Sequence, residues 1–295
     1  MPPRMKKKAA IAFPTSVKVK VPATTANLGP GFDALGLALQ IYNTVRISRG
    51  DEGPANAMID EAAALFFKRS RVKPFRFQWS IGGDVPRSRG LGSSVTVRLG
   101  ILHGLNELAG SPLDNDVLFS LCADLEGHPD NAAPAAYGGF CIARQGRAVQ
   151  RYRIDRHVEF ALLIPEMEVL TADARRALPK AVPLTDAVLS ASNAALIAGA
   201  FASRDYTKLE GCFEDMLHQP YREHLVPFMG KVIAAGVKAG AVGGWLSGSG
   251  STIACMTLGS PEKVARAMLA ASGLQHATVV TARADNNGVR VTVKD

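Results

Sequence analysis

The apolar and polar positions along the chain alternate in some stretches and recur at helical spacing in others. Residues 16–21 (SVKVKV) alternate valine with serine and lysine, a period of two that predicts a half-buried strand. Residues 22–33 (PATTANLGPGFD) break the alternation with Pro, Thr, Asn and Gly and read as a loop. Residues 34–39 (ALGLAL) read as an apolar turn and 43–48 (NTVRIS) as another strand. Through 55–69, Ala57, Ile59, Ala62, Leu65 and Phe66 recur at the spacing of an amphipathic helix. Residues 75–81 alternate again. A glycine loop at 86–92 then opens an apolar helix that Gly110 and Pro112 stop. A helix follows over 114–126 with Asp114 as its N-cap. Strands at 140–143 and 149–153 are placed to pair.

A composition shift near 155–160 opens a second half with the strand 159–164 (EFALLI). Helices are expected at 172–178, 185–202, 205–217, 226–239 and 261–272. The segment 243–251 (GGWLSGSGS) reads as a loop before a strand at 252–257, and strands at 277–282 and 289–293 close the chain. Hairpins and βα units are mixed, which predicts an α+β protein in two halves, 15–158 and 159–295. No internal repeat is visible.

Composition narrows the classes. Of 295 residues 47% are hydrophobic and 20% charged, enough apolar surface for a buried core. No uninterrupted apolar run has the roughly 18 residues of a membrane span. The net charge is +8, but Arg4, Lys6, Lys7 and Lys8 supply four of those charges. They lie in a stretch, 1–14, that has no acid and is expected to be a disordered basic tail. The remaining body is only mildly basic. No zinc-type Cys/His spacing or aromatic RNA-binding signature accompanies it, so neither a nucleic-acid nor a membrane partner is expected. A homodimer stays open. Cys122, Cys141, Cys212 and Cys255 are far apart with no CxxC, which suits reduced, buried thiols and a cytoplasmic location.

Three loops carry chemistry. The first, Pro86 to Ser94 (PRSRGLGSS), sits between a strand and a helix. Gly90 and Gly92 let backbone approach a ligand, and Ser93 and Ser94 stand where free helix N–H groups favour phosphate oxygens. A plain glycine turn with serine caps would look the same. The chain has no Walker A sequence, and Val95 spoils a G-x-G-x-x-G. The earlier GPGFDA (29–34) does fit G-x-G-x-x-A with Asp51 beyond it, yet its strand ends about seven residues too early for a dinucleotide fold. The second loop, Glu126 to Asn131 (EGHPDN), packs an acid, a histidine, an acid and an amide into one turn. Glu126 and a serine of the glycine loop could offer Mg²⁺ its one or two protein oxygens, whereas an Asx-turn beside an exposed glutamate is the bland alternative. His128 reads as a loop residue rather than a base. The third loop, 243–251, is either a ligand-sized gap or a flexible turn.

Taken in order, these loops resemble the GHMP kinase superfamily, and P-x-x-R-G-L-G-S-S matches from Pro86 to Ser94. Within it the segments PATTANLGPGFDALG (22–36), EGHPDNAAPA (126–135), LTADARRALP (170–179) and QPYREHLVP (219–227) resemble those of the homoserine kinases. The resemblance implies a two-domain fold, with an N-terminal half like ribosomal protein S5 domain 2 and a ferredoxin-like C-terminal half. It implies ATP and Mg²⁺ as cofactors, and phosphorylation of L-homoserine to O-phospho-L-homoserine in threonine biosynthesis. Another GHMP small-molecule kinase, or a relative that binds without catalysis, is the alternative.

The resemblance also assigns roles. Asn27, Asp33, Asn131, Thr171, Arg175 and Arg222 fall on substrate positions, with the two arginines on the carboxylate and Asp33 suited to the ammonium. Pro86, Arg89, Gly90, Leu91, Gly92, Ser93 and Ser94 fall on the phosphate loop and Asn56 near the adenine. Ser94 and Glu126 fall on the metal ligands. Asp130, Asn131 and Glu126 are the catalytic candidates: Asp130 falls where some superfamily members place a catalytic aspartate, and Asn131 where homoserine kinases contact the hydroxyl, which leaves open whether a base is used. The chain departs from the family after Gly-Leu-Gly-Ser-Ser, where Val95, Thr96, Val97 and Arg98 replace small residues, and at Ser251, which replaces a proline.

Overall fold

The computed structural model of the chain describes residues 14–51 and 53–294. The expected tail, 1–14, therefore lies almost wholly outside the described residues. A long antiparallel hairpin, β1 (Ser16–Ala26) and β2 (Leu35–Arg49), is the spine of the first half. Val17, Val19 and Val21 turn inward while Lys18 stays exposed, as the alternation predicts. The register shifts between Pro22 and Ala23, where proline has no N–H for the ladder. From Val21 to Ala26 every residue is buried. Val21 joins the core under the helices, whereas Ala23, Leu37 and Leu39 join a second core facing the other half. This two-sided burial erases the alternation, so 22–26 and 35–39, expected within a loop and a turn, are strand.

β3 (Phe77–Gly83) and β4 (Phe140–Ile142) also pair with β2, and β5 (Gln150–Tyr152) pairs with β4. Four helices cover one face: α1 (Ala57–Ser70), α2 (Ser93–Leu108), α3 (Asn115–Glu126) and α4 (Ala132–Tyr137). They pack Phe66, Leu99, Leu102 and Leu118 against Val45 and Ile47. Asp114 caps α3 by accepting from the Val117 N–H at 2.8 Å.

In the second half β6 (Glu159–Pro165), β7 (Ala241–Leu246), β8 (Ile253–Thr257) and β9 (Ala277–Arg283) form an antiparallel sheet in the order β7-β8-β6-β9. α8 (Met229–Lys238) and α9 (Pro261–Ser272) cover one face, which gives the ferredoxin-like arrangement. Ala161 and Leu163 face these helices; Phe160 and Leu162 face the first sheet across Phe140 and Phe201. Burial of both faces accounts for the unbroken apolar run of β6.

Three α-helices lie between β6 and α8: α5 (Thr171–Arg176), α6 (Leu184–Ser203) and α7 (Gln219–Arg222). α6 is long and apolar enough to cross a membrane by length and composition. It packs Ile197, Ala200 and Phe201 into the second core and leaves Leu184, Val188 and Leu196 exposed. The helix expected at 205–217 is absent. A 3₁₀ turn, Tyr206–Leu209, is followed by irregular chain in which the Asp215 carboxylate accepts from the N–H groups of Leu217, His218 and Gln219. That local bonding competes with the helix. The loop expected from residue 243 is strand β7 as far as Leu246; its paired glycines hid it.

The last strand, β10 (Arg290–Lys294), pairs with β1 and not with the second sheet. The expected assignment of 159–295 whole to the second half is corrected by this crossing. Asp285 anchors it. Its carboxylate, 1% exposed, accepts from Tyr42 Oη at 2.7 Å and from the N–H groups of Asn287 and Gly288, and Arg290 pairs with it. Asp285→Ala should cost about 2–3 kcal/mol through the stranded donors. Urea unfolding checks this, with a lower midpoint at unchanged slope expected.

Candidate active site

A cavity of about 360 Å³ opens where loops of both halves converge. Its floor is the glycine loop before α2. Gly90 and Gly92 have φ of +73° and +66°, and a Cβ would lie 2.0 Å from the Ser247 carbonyl or 2.1 Å from Thr24 Oγ1. Glycine is thus required by both conformation and space. The N-terminus of α2 behind them presents Ser93 and Ser94 to the cavity, a setting for phosphate oxygens. Ser94 Oγ donates to Glu126 Oε2 at 2.9 Å. Two hard oxygens side by side at the cavity wall fit Mg²⁺, which takes few protein ligands and completes its shell with phosphate and water.

The loop after α3 supplies the middle of the site. Asp130 is 2% exposed, and its Oδ1 lies 2.6 Å from His128 Nδ1 and accepts the Asn131 N–H at 2.8 Å. Burial alone would lower the pKa of His128, but the hydrogen bond and charge of Asp130 prevail and raise it. Thr24 Oγ1 donates to Asn131 Oδ1 at 2.7 Å. The other end of the amide lies 3.4 Å from Asp130 Oδ1, which can only accept, so that end is the NH₂ and the end facing Thr24 is the carbonyl.

The far wall is cationic. Arg222, 2% exposed, donates to the carbonyls of Ala174 and Gly248 and to His218 Nδ1, each at 3.1 Å. His218 Nε2 donates to Gly29 O at 2.8 Å, so the ring is neutral with its proton on that nitrogen. Burial first, against the opposing Asp215 charge, and then Arg222 hold its pKa down at about 4. Burial and the neighbouring Arg175 lower Arg222 to about 10, still cationic at neutral pH. Arg175 makes a two-pronged pair with Asp33, at 2.8 and 3.1 Å. Both guanidiniums approach the Phe32 ring, at 5.6 and 5.2 Å.

Most residues singled out from sequence line this cavity: Asn27, Asp33, Asn56, Arg89, Gly90, Gly92, Ser93, Ser94, Glu126, Asp130, Asn131, Thr171, Arg175 and Arg222. Pro86 and Leu91 do not, and Leu91 is fully buried in the second core. Arg89 turns away, donating to the carbonyls of Pro165 and Glu166 and pairing with Glu168. Asn56 caps α1 by accepting from Ile59 N. Asn27 ties loops together, donating to Gly248 O at 2.9 Å and accepting the Asp33 N–H. Thr24, His218 and Gly248 were not anticipated. Thr24 and Gly248 stood inside noted loops, but their partners lie more than 100 residues away in sequence.

Residues 57–139 match the family model for the N-terminal domain of GHMP kinases, and 197–273 match that for their C-terminal domain. The chain is 36% identical over 276 residues to a homoserine kinase of Halothermothrix orenii, spanning 86% of this chain and 89% of that one. The chain belongs to the homoserine kinase family of GHMP kinases. A homoserine kinase of Gloeobacter violaceus is 38% identical over 297 residues, spanning 94% and 99%. The fold is shared with the crystal structure of homoserine kinase from Cytophaga hutchinsonii, at TM-score 0.86 and 24% identity over 98% of this chain and 100% of that one. Methanococcus jannaschii mevalonate kinase shares it at TM-score 0.69 and 13% identity, over 94% and 99%. Membership makes ATP the phosphoryl donor of this GHMP kinase.

The departures after the glycine loop are absorbed locally. Val95 is buried, and Thr96 Oγ1 donates to Ser93 O and accepts from Asn43. Ser251 is buried and donates to Met167 O. Thr24→Val should free the Asn131 amide to turn and lower kcat/KM about tenfold to a hundredfold, the cost of one stranded buried acceptor; steady-state kinetics on a variant of unchanged melting temperature check this.

Two buried histidines should make this GHMP kinase acid-sensitive. His103 in α2 is also held at about 4, by burial, and its Nε2 has no partner among the described residues. Both folded-state values lie below the unfolded 6.5. Their contribution is therefore complete above pH 6.5 and is lost as pH falls toward 4, about 3 kcal/mol for each. Unfolding free energy should drop across that window, and His103→Gln should flatten the drop.

Proposed function

We propose that the chain transfers the γ-phosphoryl group of ATP to the hydroxyl of L-homoserine, giving O-phospho-L-homoserine for threonine biosynthesis in the cytoplasm. The observation that carries this reading is the far wall. Two guanidiniums and one carboxylate stand together across the cavity from the glycine loop. A zwitterionic amino acid satisfies all three, and mevalonate or a sugar does not. The near full-length likeness to proteins named homoserine kinase supports the same choice.

Without ligand, Arg175 and Asp33 neutralise each other. Their side chains are 39% and 35% exposed, so opening the pair costs little. The ammonium of homoserine takes Asp33, and its carboxylate takes Arg175 and the free end of Arg222. One exposed pair is exchanged for charge-assisted contacts on both ends of the substrate. A ligand with only one of the two charges would open the pair and leave one member unmatched.

The side chain of homoserine then reaches toward Asn131 and the phosphates. Backbone N–H groups at the start of α2 bind the phosphate oxygens, and Asn131 orients the hydroxyl. In this reading Asp130, beside Asn131, is the candidate acceptor for its proton. The transition state is loose, so alignment and charge stabilisation supply most of the rate. Ser94 and Glu126 would hold Mg²⁺, which would supply positive charge against the phosphates.

The test is a two-by-two cycle of enzyme and substrate. Arg222→Ala should lower kcat/KM for homoserine roughly 30-fold to several-thousand-fold, the equivalent of about 2–5 kcal/mol. The KM for ATP should hold steady. Homoserine lactone, which has no carboxylate, should be a poor substrate that loses little more in the variant. Equal losses for both substrates would assign Arg222 to the fold or the phosphate side. ADP release with mevalonate, shikimate or galactose but not homoserine would move the reading to another GHMP kinase.

A further inference from the structure

Arg98 stands one helical turn beyond Ser94 on α2, so the two side chains project from the same face. Both reach Glu126. Arg98 Nη1 lies 2.7 Å from Glu126 Oε1, and Ser94 Oγ lies 2.9 Å from Oε2. The same nitrogen donates to the Leu125 carbonyl at 2.8 Å, at the C-terminal end of α3. The other terminal nitrogen is 3.5 Å from Glu61. The pair is sheltered, with Arg98 at 13% and Glu126 at 9% side-chain exposure, so water screens it weakly. The family resemblance gave no role to this arginine, which stands where small residues are usual.

We propose that Arg98 is a positioning residue that holds Glu126 by one oxygen and offsets its charge, so that Ser94 and Glu126 bind a divalent cation only together with a polyphosphate. The inference rests on the reading of Ser94 and Glu126 as metal ligands. A carboxylate whose charge is matched by a sheltered guanidinium attracts a free dication weakly, and the guanidinium repels it. The phosphates of a nucleotide restore the missing negative charge. Oε1 is occupied, so Glu126 meets the metal through Oε2 alone, beside Ser94. The cation therefore enters with the nucleotide and leaves with it.

The experiment titrates the full chain with Mn²⁺ alone, following free Mn²⁺ by electron paramagnetic resonance. Wild type should bind it weakly. Arg98→Met should bind one Mn²⁺ at least tenfold more tightly, and the gain should vanish in the Arg98→Met, Glu126→Gln double variant. Arg98→Lys, which keeps the charge, should stay within about threefold of wild type. Should Arg98→Met not fold, Arg98→Gln takes its place with the same expectation. An Arg98→Met affinity within twofold of wild type overturns the proposal, as does an Arg98→Lys protein that binds as tightly as Arg98→Met. The Mg²⁺ dependence of ATP binding to Glu126→Gln separates the underlying reading: an unchanged dependence removes Glu126 from the metal site. A changed dependence with no tightening in Arg98→Met removes only the role given to Arg98.

Discussion

The site depends on one hydrogen-bonded seam between the two halves. Trp245 Nε1 lies 2.9 Å from Thr25 Oγ1, Thr25 Oγ1 lies 2.8 Å from Ser247 Oγ, and Ser247 Oγ lies 2.7 Å from the Gly90 carbonyl. An indole can only donate and a carbonyl can only accept. Each hydroxyl has one proton, so the bonds must run in one direction, from the indole through Thr25 and Ser247 to Gly90. The phosphate loop is thereby tied to the second sheet through the end of β1. Thr25 and Ser247 are fully buried, so losing any member strands a polar group away from water. Flanking backbone bonds, Gly248 N–H to Ala26 O and Thr252 N–H to Arg89 O, continue the seam.

The same seam explains which parts of the fold were legible in the sequence. Where one face is wet, the pattern is clean: 16–21 alternates, and 261–272 is a helix as expected, with Ser260 as its cap and Gly273 after it. Where the chain lies between the halves, both faces are dry and periodicity vanishes. That is why PATTA, ALGLAL and the glycine-rich start of β7 were not seen as strands. The region 205–217 failed differently. Its composition is helical enough, but Asp215 offers three backbone N–H groups a carboxylate instead of a helix.

The candidate site divides along similar lines. Glycine, serine and acid signals marked the loops, and the fold brings those loops to one cavity. What sequence could not give was pairing at a distance. Thr24 orients Asn131, and His218 props Arg222. Arg89, charged and inside the phosphate-loop motif, instead binds backbone carbonyls of the second half. Leu91 serves the core. A motif records which residues cluster in sequence; only packing separates those that face the ligand from those that hold the loop.

Arg222 and Arg175 illustrate the two ways a cation can be kept ready. Burying a guanidinium is unfavourable unless its donors are matched. Arg222 meets that cost with two carbonyls and a histidine held neutral by its own burial. Those three acceptors fix the guanidinium plane, so little ordering remains to be done when a carboxylate arrives. Arg175 is part-exposed and balanced by Asp33 alone, and its pairing can be exchanged. In the proposed reaction the fixed arginine would set where the carboxylate of the substrate lies. The exchangeable one would make occupancy depend on a second charge, the ammonium, to release Asp33. On that proposal, recognition of the zwitterion follows from a difference in burial between two residues of the same type.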